Sequence, residues 1–325
     1  MIFFRKACFL AGFLTTIATL NGCAYLLPQS TAIKKNLLYS PKDKIELTEV
    51  PFFPQDKYQC GPAALAMSLN AAGVRVTPEV LVDQVYIPKK KGSLQVEMLA
   101  TARRHGLIAY ELASQLTDVL LEIAAGSPVI VLENYSFGLG PVWHYSVAIG
   151  YDLNEGRIIR RSGNNVFESM PFAAFEYLWK SDGYWAMVAL PLNKIPASAT
   201  EDRYLKAILA LENISQYKNA QIAYKTLLTK WPDSLSGHLG LGNTAYKLKD
   251  LDGAELAFSN ATKIHPESVA ALNNLAHVLA EKGKLFEAAM IAEKAVKIGG
   301  PLAKISQTTL EEIREKLNNP KKDIF

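Results

Sequence analysis

Two proline-containing pairs, Trp231-Pro232 and His265-Pro266, stand 34 residues apart, and Gly299-Gly300 lies 34 residues further on. The residues between keep the same interval. Ala220, Ala254 and Ala288 share one equivalent position, Tyr224, Phe258 and Ala292 a second, and Leu227, Ala261 and Ala295 a third. Self-similarity at a fixed interval of this length marks supersecondary units that cannot bury their apolar faces alone and must stack on one another. Within each unit the apolar spacing is helical. From Glu201 to about Gly300 the chain is therefore restricted to a stack of roughly three helical pairs.

These positions resemble the tetratricopeptide repeat, and the resemblance covers residues 201–302. Leu241-Gly242 of the middle unit stand where two helices must approach closely, while Ala207-Ile208 and Leu275-Ala276 replace leucine-glycine in its neighbours. Residues 303–325 read as a capping helix, from Ile305 to Leu317, with a tail; such a helix solvates the end of a stack. The resemblance implies a groove that takes a protein or peptide partner. No basic cluster marks that groove for an acidic tail.

Ahead of the repeats, residues 193–200 form a linker, in a stretch from Pro191 to Thr200 that contains two prolines. Residues 45–192 read as a separate domain in which helices come first and strands afterwards. A helix from Cys60 to Ala72 stops at Gly73; Thr77 and Ser93 read as N-caps of the next two. Pro128 to Leu132 reads as a buried strand. His144 to Tyr151 alternates, with Tyr145, Val147, Ile149 and Tyr151 on one face and His144, Ser146, Ala148 and Gly150 on the other. That second face is small and polar, with room for something to approach it. A return strand from Arg157 to Arg161, a turn over Ser162 to Asn165, a helix from Pro171 and a last strand ending at Leu190 complete an α+β domain with a largely antiparallel sheet.

The first residues belong to neither domain. Arg5-Lys6 precede an apolar run from Ala7 to Leu20, too short to span a bilayer comfortably, and Leu20-Asn21-Gly22-Cys23 follow. This resembles a bacterial lipoprotein signal: residues 1–22 would be removed and Cys23 lipidated. Residues 23–44 then read as a tether. Ala24, rather than an aspartate, after the cysteine implies an outer-membrane lipoprotein facing the periplasm. The rest of the composition is that of an ordinary globular protein, 49% hydrophobic and 20% charged. A dispersed net charge of +4 makes no case for nucleic acid.

Three cysteines are present, Cys8, Cys23 and Cys60. With Cys8 in the signal and Cys23 carrying lipid, Cys60 is the one thiol of the mature chain, and an unpaired cysteine in an exported protein points to an intermolecular bridge or a reactive thiol. A cysteine taken alone is more often a small buried hydrophobe. Cys60, however, opens a helix, where unpaired N–H groups and the macrodipole favour a thiolate. A thiol nucleophile needs a base. His238, His265 and His277 fall on repeat positions and read as structural, and His105 reads as a helix C-cap. His144 remains, on the small-residue face of its strand. The single thiol and scattered histidines lack ligand spacing, so no metal or cofactor is expected.

Gln55, Cys60-Gly61-Pro62-Ala63 and His144 through Asp152 resemble the bacterial C39-type cysteine peptidases, over about Val50 to Leu190, and most nearly a lipoprotein branch that carries tetratricopeptide repeats. The resemblance implies a papain-like fold in which Cys60 is the nucleophile, His144 the general base and then acid, and Gln55 the oxyanion donor; Gln59 is the nearer alternative donor. The chain departs from that pattern in one place. An aspartate normally orients the histidine, whereas the following strand here reads Arg160-Arg161-Ser162-Gly163-Asn164-Asn165. Ser162, Asn164 or Asn165 could hold the ring as a neutral group; Asp152 lies too far along the turn. Two functions follow as expectations: an envelope cysteine peptidase acting through a Cys60 acyl-enzyme, with repeats that recruit substrate or partner, or a non-catalytic peptide-binding scaffold in an envelope or polysaccharide-export assembly.

Overall fold

The computed structural model describes residues 27–35, 42–55, 58–136 and 140–318. The expected signal peptide, Cys23 and the C-terminal tail lie outside the described residues. The chain divides at the linker into two compact units, the second taking Leu192–Ile195 and everything from Thr200 on.

The first unit runs α1 (Pro28–Lys35), β1 (Lys44–Glu46), α2 (Cys60–Ala71), α3 (Pro78–Val85), β2 (Tyr86–Ile87), β3 (Gly92–Ser93) and α4 (Gln95–Arg104). It continues with β4 (Ile108–Glu111), α5 (Leu116–Ala124), β5 (Val129–Asn134), β6 (Trp143–Asp152), β7 (Arg157–Ser162), β8 (Asn165–Pro171), α6 (Phe172–Trp179) and β9 (Ala186–Leu190). Seven strands form one antiparallel sheet in the order β4-β9-β5-β6-β7-β8, with β1 pairing the far end of β6. The α+β reading, helices first and an antiparallel sheet after, is what the chain adopts.

The alternation in β6 divides two environments. Tyr145, Val147 and Ile149 join a core with α2, in which every residue from Gly61 to Leu69 is buried. A helix buried on all sides needs an apolar sequence all round, and Ala63-Ala64-Leu65-Ala66-Met67 supplies it. The opposite face, expected to be open, is filled: Ser146, Glu133 of β5 and Arg160 of β7 are fully buried there.

Three further differences have identifiable causes. Pro28–Lys35, inside the stretch expected to be a tether, is helical and docked. Its Gln29 and Ser30 N–H groups donate to the Glu176 carboxylate at 3.1 and 2.7 Å, where a helix N-terminus favours an anion, and Ile33 is buried. Ser93 does not cap α4; it pairs with Tyr86, and Leu94 takes the N-cap position. Asn165 and Pro171, expected in a turn and at a helix start, are the ends of the edge strand β8, in which Val166 and Phe167 are adjacent and both exposed, so its apolar residues do not alternate as a half-buried strand's do.

The second unit is the expected helical stack: α7 (Glu201–Glu212), α8 (Tyr217–Lys230), α9 (Leu235–Lys247), α10 (Leu251–Ile264), α11 (Val269–Glu281), α12 (Leu285–Ile298) and α13 (Ala303–Asn318). The residues equivalent by 34 all lie buried on α8, α10 and α12. The recurring prolines sit just before recurring caps: the Ser234 and Ser268 hydroxyls accept from the N–H groups of Gly237 and Ala271. His238 Nε2 lies 2.9 Å from Pro232 O and His265 Nε2 lies 2.7 Å from Asp233 O, the structural roles read for both.

At Gly242 α9 packs tightly on α10; a Cβ there would lie 2.4 Å from the Phe258 ring. Gly242→Ala should therefore destabilise the repeat unit by about 1–3 kcal/mol through overpacking, less about 1 kcal/mol returned by the better helix propensity of alanine. Urea unfolding of the full chain checks this, and an unchanged or raised midpoint would contradict the close approach.

Candidate functional site

Cys60 is the first residue of α2, as its sequence context implies, and its thiol is free. The residue behind it must be glycine, because a Cβ on Gly61 would lie 2.2 Å from the Ser93 hydroxyl of β3. The same close packing corrects the expected thiolate. Burial pushes the Cys60 thiol up, and the N–H groups of Tyr145 and Gly61 that pull it down do not offset this.

Gln55 is held at both ends of its amide. Its Nε2 donates to Tyr145 O at 3.3 Å, its Oε1 accepts from the Gly163 N–H at 3.0 Å, and its own N–H donates to Gly163 O at 3.2 Å. One Nε2 proton is left for a ligand oxygen. Gln59, the alternative donor, sits at the N-cap of α2. Gln55, Cys60, Ser93, Trp143, His144 and Gly163 line one cavity of about 780 Å³. Trp143 and Tyr58 on its walls are each 44% exposed, which leaves aromatic surface available to a ligand. Among the described residues no group of histidine, cysteine and carboxylate side chains could hold a metal ion.

His144 enters this cavity from the polar face of β6. Its Nε2 lies 2.9 Å from the Ser162 hydroxyl, so of the candidate orienters Ser162 is the one in place. Asn164 and Asn165 are exposed, and Asp152 pairs with Lys44 at 3.3 Å. Antiparallel register explains the selection: Glu133 stands opposite His144 and Arg160 opposite Ala148, which puts Glu133, His144, Ser146, Arg160 and Ser162 on one face. Tyr135, two residues beyond Glu133, presents its ring edge-on to the imidazole with centroids 5.5 Å apart. The Arg160 guanidinium lies over the Tyr135 ring, 5.7 Å from its centroid.

Behind the imidazole lies a fully buried ion pair. Arg160 binds Glu133, and its other terminal nitrogen lies 3.1 Å from Glu168. The Ser146 hydroxyl donates to Glu133 at 2.7 Å. Tyr135, Glu133 and Arg160 are functional neighbours that the sequence reading missed. The available signal was charge inside apolar runs, Glu133 closing Val129 to Leu132 and Arg160 following Ile158-Ile159.

Burial, reinforced by the Arg160 cation, pushes the His144 imidazole down to about 4. At neutral pH the site therefore holds a neutral thiol and a neutral imidazole, with no hydrogen bond between Cys60 and His144 among the described residues.

An α+β domain with a cysteine-bearing helix against an antiparallel sheet, followed by stacked helical pairs, is the class these elements define. Residues 47–187 match the model of the Peptidase_C39 like family, and residues 205–264 match that of the Tetratricopeptide repeat. The chain thus carries a C39-like domain followed by a tetratricopeptide region. A solved structure described as a C39-like peptidase from Bacillus anthracis is 20% identical, with a TM-score of 0.38, covering 46% of this chain and 98% of that one. The type III secretion chaperone SycD of Yersinia enterocolitica, in complex with a translocator peptide, is 19% identical, with a TM-score of 0.34, covering 36% and 93%. Stress-induced-phosphoprotein 1 of Caenorhabditis elegans is 36% identical over 67 residues, 21% of this chain; the chain spans 21% of that relative's length.

The neutral imidazole has a measurable consequence. With a folded value near 4 and an unfolded one near 6.5, the unfolded chain binds more protons between those limits, so stability rises with pH across that window. The His144 contribution is complete above about pH 6.5 and is lost as pH falls towards about 4. His144→Gln should flatten this part of the stability–pH curve, and the His144 ring signals of the wild type should titrate near pH 4. A ring titrating above 6.5 would contradict the described environment.

Proposed function

We propose that this protein is a peptide-binding scaffold: the C39-like cleft grips an extended peptide segment without cutting it, and the repeats hold a protein partner. The supporting observation is that Cys60 and His144 line one cavity with no hydrogen bond between them among the described residues, in surroundings where burial pushes the thiol up and burial with the Arg160 cation pushes the imidazole down. The cleft keeps what peptide recognition uses: a fixed Gln55 amide, exposed aromatic surface at Trp143 and Tyr58, and room for several residues. Support for a partner on the repeats comes from their surface. Ile222, Leu256 and Met290 recur at the 34-residue interval and are 44, 63 and 66% exposed, with Phe286 beside Met290 at 81%. In this reading lipid on Cys23 holds the assembly at the periplasmic side of an outer membrane, as part of an envelope or polysaccharide-export apparatus.

A second reading, a cysteine peptidase working through a Cys60 acyl-enzyme, is favoured by the convergence of Gln55, Cys60 and His144 on that cavity with Ser162 on the imidazole. Resting geometry alone does not remove a candidate base.

The two readings differ in thiol chemistry. As a scaffold, Cys60 should react with iodoacetamide near pH 7 no faster than the thiol of an unstructured peptide, and His144→Ala should leave that rate within about twofold. Labelling well above the peptide rate that collapses in His144→Ala would favour the peptidase. Peptides selected from a display library on the Cys60→Ala chain should bind wild type equally and lose about tenfold, roughly 1.4 kcal/mol, with Trp143→Ala. Envelope-protein N-termini should match between wild type and Cys60→Ala cells. New termini present only with wild type would sink the scaffold reading.

The anchor is checked separately. Cys23→Ser should move the protein from the membrane to the soluble periplasmic fraction, and unchanged fractionation would remove the lipid from the proposal.

A further inference from the structure

The β2–β3 hairpin contributes one wall of the cavity, and its base is fixed. Tyr86 pairs with Ser93 and Ile87 with Gly92, Ser93 packs closely on Gly61, and the Tyr145 hydroxyl donates to Ser93 O at 3.2 Å. A 3-10 turn over Pro88–Lys90 reverses the chain, closed by the Lys91 N–H donating to Pro88 O at 3.1 Å. Lys90 and Lys91 are thereby placed on the lining, together with Tyr58 and Cys60.

The backbone of this turn is that of a glycine. Lys91 has φ 49° and ψ 44°, a left-handed conformation that is strained for a residue with a Cβ and free for one without. Its Nζ lies 5.8 Å from the centroid of the Tyr58 ring, within reach of a cation–π contact. Tyr58 is itself left-handed, with φ 68°. Two strained residues thus meet at the cavity, and strain of this kind collects where ligands are held. Neither Lys90 nor Lys91 forms an ion pair among the described residues. The one carboxylate of the described lining, Asp182, is engaged by the side-chain amide of Gln95. The turn calls for glycine and carries a lysine, so the ammonium group has a use other than closing the turn.

We propose that Lys90 and Lys91 form a carboxylate-selecting wall, so that the cavity prefers peptide segments that bear acidic groups. This deepens and rests on the reading of the cavity as a peptide cleft. The Gln55 amide recognises a backbone and is blind to sequence, whereas the two cations add a preference for charge. An ammonium group accepts many directions of approach, so Asp, Glu and a chain-terminal carboxylate all satisfy it.

Cys60 lines the same cavity and reports on it without any peptide. Iodoacetate carries a carboxylate and iodoacetamide does not, so the ratio of their alkylation rates at Cys60 reads the preference for an anion and cancels the thiolate fraction. On the full chain at neutral pH, with Cys60 followed by mass spectrometry, that ratio should exceed the ratio of an unstructured peptide thiol by about threefold in about 0.01 M salt. The excess should vanish in about 1 M salt, where charges are screened over about 3 Å. Lys90→Gln combined with Lys91→Gln should return the ratio to the peptide value. Lys91→Gly should lower it too and leave the urea midpoint unchanged or raised, because relief of the left-handed strain offsets the added freedom of the unfolded chain. A ratio no higher than the peptide's, a ratio indifferent to the lysine substitutions, or a clear fall of the midpoint with Lys91→Gly would overturn the proposal.

Randomised synthetic peptides, one pool with free and one with amidated C-termini, identify the source of the carboxylate. Enrichment of Asp and Glu in both retained pools assigns side chains, and retention confined to the free pool assigns the chain terminus. Retained pools with neither preference would overturn the proposal. A raised alkylation ratio with no peptide retained from either pool would count against the cleft reading and leave the carboxylate-selecting wall standing.

Discussion

Arg160 and Glu133 pair with no exposure to water in the middle of the sheet, and much of the first domain is arranged around them. Bringing two charges into such a place is costly unless geometry and further hydrogen bonds compensate, and losing one partner costs more than losing both. The compensation comes from the Ser146 hydroxyl and Glu168. Because those groups sit on β5, β6, β7 and β8, the pair fixes the register of four strands at once. A shift of one residue in any of them would turn its contribution to the opposite face.

That register decides what happens at the start of β6. One face of the strand carries Tyr145, Val147 and Ile149 into the core beneath α2; the other carries His144 onto the polar layer. The thiol and the imidazole are thus supplied by different layers and meet only at the cavity. Each inherits its layer's electrostatics. Cys60 is governed by burial in the apolar layer, which outweighs the helix N-terminus it opens, whereas His144 is governed by burial and a cation. Neither environment favours charge separation between the two, which is why the dipole argument that holds for an exposed helix start does not hold for this one.

The repeat region was legible because its determinants are local and periodic: a 34-residue interval, recurring prolines, and small residues where helices touch. Cys60, His144 and Gln55 could be read by elimination and by resemblance, and Ser162 only as one of three polar residues on the right turn. What separated Ser162 from Asn164 was strand register, a long-range property. Glu133 and Arg160 showed only as charges inside apolar runs, and nothing in their neighbours or around Tyr135 says that β5, β6 and β7 lie side by side. The docked helix Pro28–Lys35 depended on Glu176, almost 150 residues away, and so read as a tether.

The third position of a cysteine–histidine site sets the direction in which its hydrogen bonds run. A carboxylate or amide oxygen accepts from the ring, leaves the opposite nitrogen as a base, and stabilises the imidazolium that forms when the thiol gives up its proton. In this chain the group at that position is the Ser162 hydroxyl, 2.9 Å from Nε2, which can accept or donate but carries no charge. It gives an imidazolium less support than a carboxylate would, and burial with the Arg160 cation further disfavours a second ring proton. The cavity, the nucleophile's place in the fold and the Gln55 amide are thus kept in surroundings that oppose the charge separation between thiol and ring with which a thiol hydrolysis begins.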